Sequence, residues 1–242
     1  MRFARLSLVL FAGCSTGGYD ADYAKAVAVY RDAATFAVLN PVPDTFASSR
    51  VTINLPVGFG QVMDGPPVVE GGPPVAADAS RVRPPFLAEF PGYQATHERR
   101  LATDGVELPV AVAIGVVPAS AGRAAVERAI LEQARGDEAF KDGQTAWVDR
   151  RVEPRDGGPG AWRVLTLDGQ QIFESIVAGN PEHKRWEGTC EIWLSAEPQQ
   201  ELITVLAWRV PEKVAGSLAV PLPQLAETTA RTVAIGPAES AP

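Results

Sequence analysis

Three pairs of strand-like runs succeed one another along the chain, and neighbouring hairpins of this kind dictate an antiparallel sheet. Gln94 to Thr103 and Val106 to Val117 flank Asp104-Gly105, while Trp162 to Leu167 and Gln170 to Val177 flank Asp168-Gly169. Asp-Gly is the pair that a two-residue type I′ turn selects, because both central residues take positive φ. Cys190 to Leu194 and Glu201 to Trp208 form the third pair, joined by Ser195 to Gln200, with Trp193, Val205 and Trp208 as strand residues. Single strands are read at Val51 to Leu55 and at Thr145 to Val152.

Helical spacing adds the other half of the architecture. Tyr19, Tyr23, Val27, Tyr30 and Ala34 recur every three or four residues with Asp22, Lys25, Arg31 and Asp32 between them. This predicts an amphipathic helix from Tyr19 to Phe36 with its tyrosine stripe toward a core. Ser120 reads as the N-cap of a second helix through Val126, Ala129, Ile130 and Ala134, ending near Gly136. Leu222 to Ile235 reads as a closing helix with Pro223 in its first turn. The resulting class is α+β: a mainly antiparallel sheet flanked by helices, with an extra N-terminal helix, and not a series of βαβ units.

Composition sets the bounds. The chain has 242 residues, 46% of them hydrophobic and 21% charged, enough to bury a core without disulfides. Its 22 Gly and 21 Pro are unevenly spread, and Asp64 to Pro91 concentrates them in Gly65-Pro66-Pro67, Gly71-Gly72-Pro73-Pro74 and Arg83-Pro84-Pro85-Phe86. That stretch, residues 64–91, reads as a long loop, and its prolines as a spacer. With no repeat and no second composition regime, residues 19–242 are expected to form one globular domain. The formal charge of -7 argues against a nucleic-acid partner.

The N-terminus points to a compartment. Arg2 and Arg5 precede an apolar run from Leu6 to Ala12, in the order of an export signal. The run is too short to span a bilayer, which takes about 20 residues. Leu10-Phe11-Ala12-Gly13-Cys14 resembles the lipobox of bacterial lipoproteins. The resemblance implies that residues 1–13 are a signal peptide removed before Cys14, that the Cys14 thiol carries lipid, and that residues 14–18 are a flexible tether. It implies a membrane partner through the lipid anchor and a place in the bacterial cell envelope. Ser15 after the cysteine, rather than Asp, is similar to lipoproteins sent to the outer membrane, facing the periplasm. Several acyl chains, at about 0.8 kcal/mol per buried methylene, hold such a protein almost permanently. Cys190 is then alone, and its parity with Ile192 and Leu194 predicts a buried, inert thiol.

Chemistry is sparse along the sequence. Gly58-Phe59-Gly60 lacks the third glycine and the following helix of a dinucleotide loop, and reads as a turn. His97 and His183 have no second His or Cys at ligand spacing, so neither a metal nor a cofactor is expected. Cys190 with His183 is a conceivable nucleophile pair, and Glu98 with Glu107 a conceivable acid and base across the first hairpin. His97-Glu98-Arg99-Arg100 reads as a solvated strand face. In Glu182-His183-Lys184-Arg185-Trp186, Arg185 beside Trp186 offers an aromatic-flanked anion or carbohydrate site, and His183, Arg185 and Trp186 are the candidate binding residues. Large aromatics on strands, such as Trp162, Trp193 and Trp208, are first of all core.

The succession of hairpin, helix, antiparallel strands and final helix resembles the PsbP and Mog1-like layout. Gly188 to Leu194, Val205 to Pro211 and the closing helix also resemble those of uncharacterised envelope lipoproteins. That resemblance implies a domain that binds or assembles other proteins without a shared catalytic set. The expectation is a lipid-anchored envelope protein with a noncatalytic role toward an envelope protein partner. A hydrolase using His183, Cys190 or the carboxylates, and a small-ligand carrier with a Trp-lined cleft, are the alternatives.

Overall fold

A computed structural model describes residues 16–46, 50–62, 90, 92–137, 139–140, 146–155, 157–177 and 180–237. The expected signal peptide (residues 1–13), Cys14 and all but Phe90 of the expected Pro/Gly-rich loop lie outside them. The chain divides into two compact units, Met1–Ala37 and Val38–Pro242.

The first unit is one helix, α1 (Thr16–Phe36). It begins three residues earlier than the tyrosine spacing marks and takes Thr16 to Gly18 of the expected tether into its first turn. Tyr23 and Tyr30 are 62% and 76% exposed. These two tyrosines, expected to face a core, are exposed, Val27 is half-buried, and the side chain of Tyr19 lies outside the described residues.

The second unit opens with β1 (Asp44–Phe46) and β2 (Val51–Ile53), which β11 (Ala234–Ile235) joins as a small three-stranded sheet ordered β1-β2-β11. The main sheet has eight strands and is antiparallel throughout. Its members are β3 (Gly60–Gln61), β4 (Tyr93–Thr103), β5 (Val106–Pro118), β6 (Ala139–Phe140), β7 (Val148–Arg151), β8 (Ala161–Val177), β9 (Asn180–Ser195) and β10 (Leu202–Pro211). They run β3-β4-β5-β10-β9-β8-β6, with β7 also on β8. The helices of this unit are α2 (Arg123–Asp137), α3 (Glu212–Ala215) and α4 (Leu222–Ala230). The class is α+β, as the runs of neighbouring strands require.

Asp104 and Gly105 turn the β4–β5 hairpin with φ of 46° and 75°, the double positive φ of a type I′ turn. Asp168 and Gly169, in contrast, do not turn. They lie inside β8, opposite Thr189 and Gly188, and the pairing of β8 with β9 continues to Val177 opposite Asn180. A partner strand of matching length overrides the local turn signal here, and Thr189 Oγ1 donates to Asp168 Oδ1 at 2.7 Å. Ser120 likewise is not an N-cap. It sits in a 3-10 turn, Ala119–Ala121, and Gly122 intervenes before α2. The closing helix stops at Ala230, because Ala234 and Ile235 pair with Thr52 and Val51 of β2.

Val126 and Ile130 of α2 pack on a face made by Leu165, Cys190, Ile192, Leu194, Val205 and Ala207. The alternate residues Trp162, Trp193, Leu206 and Trp208 are buried too, so the centre of the sheet is covered on both sides. Indole edges order this second layer: Trp162 and Trp193 meet at 6.0 Å, and Phe59 meets Trp208 at 6.2 Å.

The far half of the β8–β9 hairpin folds back until Val177 and Ile176 pair with Val106 and Glu107 of β5. The circuit β5-β10-β9-β8 thereby closes on itself. Arg209 fills the closure: its Nε donates to Gln171 Oε1 at 3.1 Å, its guanidinium donates to the Ile172 carbonyl at 3.0 Å, and it lies 4.8 Å from the Phe173 ring centre. Gly188 makes room for the bend. A Cβ there would stand 2.8 Å from the Val210 carbonyl oxygen and 3.3 Å from the Phe173 ring.

Candidate functional site: an open groove at Trp186

β9 and α3 together form an open groove of about 460 Å³ lined by Trp186, Glu187, Glu212 and Lys213. Pro211 ends β10, and Glu212 to Ala215 turn at once into α3, which carries Lys213 over the indole of Trp186 at 5.5 Å from the ring centre. The same ammonium pairs with Asp104 Oδ2 at 3.3 Å, tying α3 to the β4–β5 turn. Glu187 Oε1 accepts from Gln170 Nε2 at 2.9 Å. Trp186 Nε1 is buried without an acceptor. The groove thus offers an aromatic surface, one ammonium and two carboxylates, a set suited to a polar, uncharged or zwitterionic surface feature of a partner.

Of the three residues singled out by sequence, Trp186 alone lines this groove. Arg185, the preceding residue of β9, is exposed, pairs in register with Ile172 and does not line the groove. The cation that accompanies Trp186 is Lys213, which is distant in sequence and carries no local signal. His183 stands opposite Glu174 on the β8–β9 ladder, and the side chains of both lie outside the description.

Two catalytic pairings fail on geometry. Cys190 and His183 lie on one continuous strand, seven residues and roughly 23 Å apart at about 3.3 Å per residue. Glu98 stands opposite Ala111, and Glu107 opposite Ala102, so the two carboxylates do not face each other. Glu98 instead pairs with Arg100 at 3.2 Å. Cys190 is fully buried within the α2-facing core, as its parity with Ile192 and Leu194 indicates.

Two buried titratable groups escaped sequence reasoning. The sequence places His97 on a solvated face, yet it is 5% exposed, its ring meets Phe46 at 6.4 Å, and its Nδ1 has no partner among the described residues. Burial lowers its pKa, and Asp44 partly opposes that. Glu191 is 4% exposed, between Trp208 and Thr166 in register, and accepts the Trp193 indole N–H at 2.7 Å. Burial raises its pKa, and the Trp193 hydrogen bond and Arg150 work the other way. Strand alternation sets Glu191 on the face opposite Cys190, and the cover of that second face buries it.

Among the described residues no group of three His, Cys, Asp or Glu is placed to hold a metal ion, and no helix is long and apolar enough to cross a membrane. Fold and groove define an α+β protein built on an antiparallel sheet, with an open aromatic groove beside one short helix. No protein-family model matches the chain, and no curated protein matches it.

Proposed function

We propose that this chain is a lipid-anchored protein of the bacterial cell envelope whose second unit is a noncatalytic binding or assembly module. The observation that carries the reading is Leu10-Phe11-Ala12-Gly13-Cys14 behind Arg2 and Arg5, a charged, apolar and small-residue order that ends on a single thiol. Anchorage through Cys14 in an outer membrane, facing the periplasm, follows from Ser15. The resemblance to the PsbP and Mog1-like layout supports an assembly role, and the open groove at Trp186 and Lys213 is the surface we assign to the envelope protein partner. The three most buried indoles, Trp162, Trp193 and Trp208, fill the core, which argues against a cleft lined by them.

The test has an anchor arm and a groove arm. In a lipoprotein-processing bacterium the protein partitions into detergent, and Cys14→Ser moves it to the aqueous phase. A photoreactive residue at Glu187 then yields an adduct with an envelope protein that Trp186→Ala abolishes. A protein that partitions alike with and without Cys14 overturns the anchor, and an adduct pattern indifferent to Trp186 overturns the groove.

A further inference from the structure

We propose that residues 57–62 and β1 form an acid-opened cover over the edge of the main sheet, held shut while the His97 ring is neutral. Both pieces are lightly attached. β3 is the two-residue end strand of the main sheet, pairing Gly60 and Gln61 with Glu98 and His97 of β4, and the Val62 N–H donates to the Thr96 carbonyl at 2.7 Å. β1 is an end strand of the small sheet and pairs with β2 over three residues. Within residues 57–62 Phe59 and Val62 are half-buried and the rest exposed, whereas Val51, Ile53 and Leu55 are fully buried and fix β2 in the core. Short, exposed end segments of this kind open at a free energy well below that of global unfolding.

His97 is where the two pieces meet the sheet. Its buried ring meets Phe46 of β1 edge-on at 6.4 Å, and its backbone stands in register with Gln61 of β3. Nδ1 is buried without a partner among the described residues. A charged imidazole carries an N–H on both nitrogens, so protonation sets an unanswered donor and a net charge into this contact. The charges around the ring are few. β1 contributes Asp44, whose carboxylate favours the imidazolium; β4 itself contributes Arg99, which donates to the Val57 carbonyl at 3.5 Å, and Glu98, which pairs with Arg100. β3 contributes none, and the residue in register on β5 is Val112.

Burial outweighs Asp44, so the ring takes a proton more readily once the cover has lifted and water reaches it. Acid therefore favours the open form. Opening also takes Phe59 off the Trp208 ring, 6.2 Å away, and uncovers the β4 backbone opposite Gly60 and Gln61. The inference stands apart from the anchoring proposal, since it needs only the geometry of the second unit.

Hydrogen exchange of the full chain carrying Cys14→Ser, resolved by peptide and corrected for the intrinsic pH dependence of exchange, tests it at pH 7 and pH 5. Amide protection in residues 44–46 and 57–62 is expected to fall by up to tenfold per pH unit below about 6.5, while β5 and β10 keep theirs. His97→Gln is expected to remove the difference between the two pH values. Asp44→Asn, which leaves the ring in place, is expected to deepen the acid loss, because the carboxylate that favours the folded imidazolium is gone. Equal protection at both pH values in the parent, a loss that spreads to β5 and β10, or an acid loss that persists in His97→Gln overturns the proposal. Should His97→Gln open the cover at both pH values, Asp44→Asn decides: an acid loss no deeper than the parent's overturns it.

Discussion

Glu191 and His97 pull stability in opposite directions with pH. Glu191 has a folded pKa above its ordinary 4.5, so its contribution is fully present below that value and is lost as pH rises through the folded one. His97 has a folded pKa below its ordinary 6.5, so its contribution is present above that value and is lost as pH falls through the folded one. Glu191→Gln keeps an acceptor for the Trp193 N–H and removes the charge. It is expected to raise the melting temperature at pH 7 and leave it nearly unchanged at pH 4, in thermal melts across that range. His97→Gln is expected to flatten the acid-side loss below about pH 6.5. A Glu191→Gln variant less stable at pH 7 than the parent would show that the buried carboxylate is satisfied as an anion. Cys190 offers a simpler check: its thiol is expected to resist a disulfide reagent in the native protein and to react in denaturant.

The elements were legible where local chemistry and pairing agree. Asp104-Gly105 sits between strands of matched length and turns as its sequence dictates. Asp168-Gly169 carries the same signal but lies mid-strand, because β9 pairs with β8 along its whole length and makes the longer hairpin the better solution. That long hairpin, its closure onto β5 and the Arg209 network inside it depend on contacts between residues far apart in sequence, which periodicity does not register. The same limit applies to the groove: Trp186 stood out, whereas its companion Lys213 comes from another element. Gly188→Ala tests the bend directly. Forcing a Cβ against the Val210 carbonyl is expected to cost about 1–3 kcal/mol in denaturant melts. Removal of a fully buried indole by Trp208→Ala is expected to cost about 3–5 kcal/mol. Trp186→Ala, at a half-buried position in the groove, is expected to cost less stability than Trp208→Ala while abolishing the partner adduct.

At the scale of the whole molecule, the described residues form one helix and an α+β body with a covered sheet and an open groove. Under the proposed anchorage, a lipid at Cys14 would supply location and leave the surface of the body for the proposed partner. Everything proposed about compartment rests on the chemistry of one thiol. The most direct measurement is the mass of the N-terminal peptide of the protein made in a lipoprotein-processing bacterium. The account predicts a chain that starts at Cys14 and carries acyl mass there; a chain that keeps Met1 and an unmodified Cys14 contradicts it.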